Sequence, residues 1–119
     1  FQHYQPDVVT VCLGQNDGIQ DSTIFCNNYI GFIERLRSYY PKARLILLSS
    51  PMADESLNKV LKKYITAIHV ALERRKEKKL NTYFFSKRYH KGCDSHPNLA
   101  EHREMAAELT AFIKKTMTW

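Results

Sequence analysis

Ala43-Arg44-Leu45-Ile46-Leu47-Leu48, running into Ser49-Ser50-Pro51, is the stretch that decides the fold. It is short and apolar, and it reads as a strand buried on both faces, as in a parallel sheet. An earlier run, Val8-Val9-Thr10-Val11-Cys12-Leu13, is β-branched, continuously apolar and closed by Gly14, so it reads the same way. A third strand is expected at Thr82-Tyr83-Phe84-Phe85.

Helical periodicity fills the gaps. Phe25, Tyr29, Ile33, Leu36 and Tyr40 recur at helical spacing after a cap at Ser22 or Thr23, and Pro41 stops that helix. From about Ser56, the residues Leu57, Val60, Leu61, Tyr64, Ile65, Ile68 and Leu72 form one stripe of a longer helix. The last helix has Asn98 as its cap, with Glu101 three residues on, and buries Met105, Leu109, Phe112 and Ile113. The order β-α-β-α-β-α implies right-handed crossovers onto a parallel sheet. The fold class is therefore α/β, a flavodoxin-like three-layer α/β/α arrangement, here a truncated portion of it. Residues 1–119 read as a single domain.

The 119 residues suffice for one core but sit near the low end for a complete α/β enzyme. With 44% hydrophobic and 25% charged residues, the composition is that of a globular protein, and no apolar run reaches membrane-spanning length. Phe1-Gln2-His3-Tyr4 lacks the basic start and apolar run of a signal peptide. The chain also lacks an initiating Met, so further residues are expected upstream. The net charge of +6 raises nucleic-acid binding. Its cations concentrate in Arg74-Arg75-Lys76-Glu77-Lys78-Lys79, however, where they suit the negative end of a helix dipole. No stacking motif accompanies them, so no nucleic-acid partner and no membrane partner is expected. Cys12, Cys26 and Cys93 have no zinc-ligand spacing, and Cys12 reads as a small buried core residue.

Ligands of open parallel sheets bind beyond the carboxyl ends of the strands. Two polar loops follow strand ends, at 14–22 and 86–97, and should share one edge of the sheet. The first carries Gly14-Gln15-Asn16-Asp17-Gly18. Glycine permits a sharp turn and close approach of a ligand. An Asn16 amide held there could donate to an oxyanion, an interaction worth roughly 3–4 kcal/mol where it has been measured. A plain turn uses the same residue types. Asp17 is read as a loop brace that accepts backbone N–H groups. The second loop carries Gly92-Cys93-Asp94-Ser95-His96-Pro97. His96 fits a general base with Asp94 as its orienting acid, and it equally fits a surface histidine. Glu101, Glu104 and Asp21 read as helix-end or surface acids.

Taken together, a strand ending in Gly-x-Asn-Asp and an Asp-x-His-Pro-Asn entering the final helix resemble the SGNH (GDSL-like) hydrolase superfamily. Its third sequence block is similar to Gly14-Gln15-Asn16-Asp17, and its last block carries the base at a position matching His96. The segment between, with Tyr40-Pro41 and Leu45 to Pro51, has similar spacing, so the resemblance covers nearly the whole chain. Gly92 to Asn98 is particularly similar to carbohydrate esterase family two and acetyl-xylan-esterase-like proteins.

The resemblance implies ester hydrolysis, with acetylated carbohydrate or another small ester as substrate. It implies catalytic residues His96, Asn16 and Asp94, loop support from Gly14 and Asp17, no metal or other cofactor, and a secreted or periplasmic setting. Two departures matter. The superfamily's Gly-Asp-Ser nucleophile and its oxyanion glycine lie upstream of the residues seen here. Its usual acid precedes the base by three positions, where this chain has Cys93. A main-chain carbonyl, that of Ser95, is the substitute expected to orient the ring. The competing reading is a non-catalytic carbohydrate-binding or interaction domain of the same fold, with Tyr83 and Tyr89 facing sugar; the favoured reading of these two is core for Tyr83 and loop packing for Tyr89. An exposed sheet edge would also favour a homo-oligomer.

Overall fold

The computed structural model describes residues 3–119, so Phe1 and Gln2, part of the segment inspected for a signal peptide, lie outside the described residues. Three strands and three long helices alternate: β1 (Val8–Cys12), α1 (Ser22–Tyr39), β2 (Arg44–Leu48), α2 (Glu55–Arg74), β3 (Leu80–Tyr83) and α3 (Leu99–Met117). The strands pair in chain order, β1-β2-β3, and both pairings are parallel. Val8 lies opposite Arg44, and Leu48 opposite both Cys12 and Tyr83, so the three carboxyl ends are level.

The central strand explains the layers. Leu45, Ile46 and Leu47 are all fully buried. Leu45 and Leu47 pack with Ile33 of α1 and with Ile65 and Ile68 of α2. Ile46 and Leu48 point the other way, into a cluster with Phe85, Tyr89 and the α3 residues Met105, Leu109, Phe112 and Ile113. Alternate residues of one strand thus feed two cores, which is why β2 has no polar face. The result is the three-layer α/β/α arrangement, with α1 and α2 on one face and α3 on the other.

β1 departs from expectation. Only Val11 is buried in it, and both Thr10 and Cys12 are exposed. The physical reason is coverage: β1 joins the α3-side cluster through Val8 alone. The expected core role of Cys12 is therefore corrected, because its side of β1 has no helix over it. Among the described residues the outer edge of β1 is also unpaired.

Element ends shifted for a common reason. The cap of α1 is Asp21, not Ser22 or Thr23, and its carboxylate accepts the Ile24 N–H at 2.9 Å. The cap of α2 is Asp54, whose carboxylate accepts the Leu57 N–H at 2.9 Å. A charged acceptor satisfies an otherwise orphaned amide at each helix start. Asn98 caps α3 as expected, in a full capping box with Glu101. β3 begins earlier than expected, at Leu80, and ends at Tyr83, leaving Phe85 to pack in the α3-side core beyond the strand.

The basic run after α2 is partly a structural device. The Arg37 guanidinium donates to the Glu77 carboxylate at 2.7 and 3.1 Å, and to the carbonyls of Tyr40, Ala43 and Lys79 at 2.9, 2.7 and 3.2 Å. It thereby joins the end of α1 to the starts of β2 and β3. Burial pushes the Glu77 carboxyl up, but the Arg37 hydrogen bonds, the Lys79 N–H and the Arg37 charge outweigh this and hold it below its ordinary 4.5. A depressed carboxylate contributes stability that is complete above its unfolded value and is lost as pH falls through the folded one. Glu77→Gln is therefore expected to cost about 1–3 kcal/mol near neutrality. The gap to wild type should narrow as pH falls below the ordinary 4.5 and through the lower folded value. Urea midpoints at pH 7 and pH 3 check this.

Candidate active site

Parallel pairing with level ends puts the loops after β1, β2 and β3 on one edge. The outer two, which carry Asn16 and His96, leave the sheet two strand spacings apart, about 10 Å. The loop after β2 bridges them. Ser50 Oγ donates to Gln15 Oε1 on one side. On the other, the Tyr89 N–H donates to the Pro51 carbonyl at 2.8 Å, and Arg88 Nε to the Met52 carbonyl at 3.0 Å. Ser49 and Ser50, nearly fully buried, belong to this central bracket.

The first loop turns at Gly14, whose φ is +99°. A Cβ built there would lie 2.6 Å from Leu61 Cδ2 and 3.0 Å from Phe25 Cζ. Both the backbone conformation and the packing therefore demand glycine. Asn16 is exposed at the head of the turn. Among the described residues its side chain makes no hydrogen bond, so its amide is free to donate to a ligand. Asp17 acts differently from the expectation: its main-chain carbonyl, not its carboxylate, braces the loop by accepting Gln20 Nε2. The Gln20 carbonyl in turn accepts the Tyr64 hydroxyl of α2 at 2.9 Å. Beside Asp17 opens a cleft of about 320 Å³, walled by Leu13, Ile24, Phe25, Tyr29 and Phe32.

The second loop is tight. The Gly92 N–H donates to the His96 carbonyl at 2.7 Å, and the His96 N–H to the Cys93 carbonyl at 2.9 Å. Asp94 and Ser95 both have left-handed backbone, with φ of +50° and +58°. A Cβ on Gly92 would meet the His96 carbonyl oxygen at 2.8 Å and the Asn98 nitrogen at 3.1 Å, backbone that cannot step aside. His96 itself is exposed.

His96 Nδ1 lies 3.1 Å from the Asp94 carbonyl and 3.3 Å from that of Cys93. A carbonyl only accepts, so this nitrogen carries the hydrogen and Nε2 is left with its lone pair. The expected partners are corrected here: the ring faces the main chain of Asp94 rather than its carboxylate, and the carbonyls of Asp94 and Cys93 rather than that of Ser95. The left-handed turn at Asp94 and Ser95 is what aims those carbonyls inward. Among the described residues no group of three or more His, Cys, Asp or Glu side chains is placed to hold a metal ion.

Of the residues that hold this loop in place, Glu101 was read from sequence as an ordinary acid and Tyr89 as an aromatic candidate, and Glu108 was missed. Glu101 of α3 is buried, and its carboxylate accepts the N–H groups of His90, Lys91 and Asn98 at 3.1, 2.8 and 3.0 Å. Two turns further on, Glu108 accepts the Tyr89 hydroxyl at 2.8 Å and the Ser86 N–H at 3.3 Å. Burial, a hydrogen bond to Glu108 and the Glu108 charge push the Tyr83 hydroxyl up to about 12. Tyr89 is only 2% exposed, so it cannot face a sugar, and Tyr83 packs on Phe85 and Phe112. The binding-domain reading thereby loses Tyr89, and the half-buried Tyr83 is engaged in aromatic packing.

No family model matches the chain. An acetylxylan esterase / glucomannan deacetylase of Cellvibrio japonicus is 31% identical over 122 residues, covering 98% of this chain and 32% of that protein. The cellulase/esterase CelE of Acetivibrio thermocellus is 32% identical, covering 100% of this chain and 15% of its own length. A solved family two carbohydrate esterase from Clostridium thermocellum, in complex with cellohexaose, superimposes with a TM-score of 0.92 at 31% identity, over 99% of this chain and 38% of that one. The homologues and structural neighbours of this chain are family two carbohydrate esterases. The chain spans between 15% and 38% of the length of these proteins, and matches a C-terminal part of them.

The Gly14 geometry has a direct consequence. Gly14→Ala is expected to destabilise the chain by at least about 1 kcal/mol, because alanine neither adopts this φ without strain nor fits against Leu61. Urea denaturation measures the loss. An unchanged midpoint would show that the turn is not held as described.

Proposed function

We propose that this chain is the C-terminal part of a serine ester hydrolase acting on O-acetylated carbohydrate, with His96 as the base and Asn16 as an oxyanion donor. One observation carries the reading. The His96 ring presents Nε2 with its lone pair, held by main-chain carbonyls, at the sheet edge that also carries the exposed Asn16 amide. The esterase homologues support the reaction class, and the fold supports a shared edge.

In this reading the nucleophile is a serine upstream of Phe1. Its Oγ attacks the acetyl carbonyl carbon while His96 Nε2 takes the hydroxyl proton. Asn16 Nδ2 donates to the oxygen that becomes negative. The bond to the sugar oxygen breaks, and that oxygen takes the proton back from the imidazolium. Water then repeats the sequence on the acyl-serine and releases acetate. Carbonyls of Asp94 and Cys93 fix the tautomer and stabilise the imidazolium, the two tasks an acid performs in a triad. The free edge of β1, with exposed Leu13, Ile24 and Phe32 beside it, offers apolar surface on which the segment bearing the serine would pack.

The test is p-nitrophenyl acetate hydrolysis by the 119-residue chain and by a version extended upstream. The short chain is expected to show negligible turnover. The extended protein should turn over, and should lose about 10²–10³-fold in kcat with Asn16→Ala and at least as much with His96→Ala. Serine-dependent turnover by the short chain, or an extended enzyme indifferent to His96→Ala, contradicts the reading.

A further inference from the structure

Glu101 is a buried carboxylate whose acceptor capacity is spent on the loop that carries His96. Oε1 accepts the His90 N–H, and Oε2 accepts those of Lys91 and Asn98. The Asn98 side chain closes the circuit by accepting the Glu101 N–H at 2.9 Å. The three amides flank the turn on both sides, with His90 and Lys91 before it and Asn98 after it. One carboxylate therefore clamps together the two ends of the segment 91–98. Burial pushes the Glu101 carboxyl up, but the Asn98, Lys91 and His90 N–H groups outweigh this and hold it below the ordinary carboxylate range.

Ordinary helix capping needs much less than this. A capping box asks the glutamate for one bond, to the N-cap amide. The bonds to His90 and Lys91 lie outside the helix and serve only the loop. Inside the clamp, the positions of the Cys93 and Asp94 carbonyls depend on the ends being held, since among the described residues the other closures are the Gly92–His96 and His96–Cys93 backbone bonds and the His96 ring contacts themselves. Those carbonyls in turn set which His96 nitrogen bears hydrogen.

We infer that Glu101 is a positioning residue for His96: its carboxylate clamps both ends of the 91–98 loop and thereby sets the orientation and tautomer of the imidazole. Acceptor-only chemistry is required. A glutamine would turn an NH₂ group toward at least one of the three N–H donors. An aspartate would be one methylene short. The inference rests on the reading of His96 as a base for its functional meaning, but its geometry can be tested without turnover.

The experiment is NMR on the full 119-residue chain, using histidine ring nitrogen shifts above the imidazole titration range, together with amide hydrogen exchange. Wild type is expected to hold neutral His96 mainly with hydrogen on Nδ1. In Glu101→Gln and Glu101→Ala, His96 should shift toward the mixed tautomers of a free imidazole. The His90, Lys91 and Asn98 amides should exchange at least about tenfold faster, with Ile46 and Ile65 unchanged. Glu104→Gln is the control, because Glu104 is half-exposed and pairs with Lys87 at 2.5 Å on the surface. It should leave the ring as in wild type.

An unchanged tautomer in both Glu101 variants overturns the inference. So does equal acceleration at Ile46 and Ile65, which would mean general loss of structure. If alanine at 101 prevents folding, the glutamine variant, nearly the same in shape, still decides. Failure of the esterase assay with a normal clamp would instead refute the role of His96 as base, so the two outcomes are distinguishable.

Discussion

Burial of β2 on both faces, with hydrogen bonds to a parallel neighbour on each edge, is the constraint from which the rest follows. Leu45 and Leu47 need α1 and α2, and Ile46 and Leu48 need α3. Parallel neighbours require helical crossovers, and level registers bring three strand ends to one edge. The loop leaving β2 then lies between the two polar loops and is hydrogen-bonded to both through Ser50, Pro51 and Met52. The loops that carry Asn16 and His96, 80 positions apart in sequence, therefore flank one central loop.

Much of this was legible in the sequence because it depends on local pattern. The apolar run at 43–48, the stripe from Leu57 to Leu72 and the Asn98 cap each announce an element within a few residues. Parallel topology then placed Asn16 and His96 on one edge without reference to coordinates. The surroundings of the elements were less legible. Val8 to Cys12 reads like β2, yet Thr10 and Cys12 are exposed, since burial depends on what packs above a strand and not on the strand itself. Asp21 displaced the expected cap of α1 because a carboxylate competes well for the same amides, and Asp54 caps α2, for which no cap was read.

The support of the candidate site was the least legible part. Nothing local distinguishes an Asp94 that offers its carboxylate from one that offers its carbonyl. The difference lies in two left-handed residues in succession, at non-glycine positions where sequence gives no such warning. Glu101 announced itself only as half of a capping box, and its contacts with His90 and Lys91 required the loop to fold back over α3. Tyr89 could be read as loop packing or as facing a ligand, and its hydroxyl bond to Glu108 fixes it as packing. In each case a tertiary hydrogen bond gave a residue a role that its type and spacing left open.

The most direct measurement of the central claim is a crystal structure of the chain joined to its native upstream sequence, after reaction with a phosphonate ester that traps the serine as a tetrahedral adduct. The account predicts one phosphonyl oxygen within hydrogen-bonding distance of Asn16 Nδ2, and His96 Nε2 against the serine-derived oxygen, with Nδ1 still facing the Asp94 and Cys93 carbonyls. An adduct formed elsewhere, or one that leaves Asn16 and His96 out of contact with it, would contradict the account.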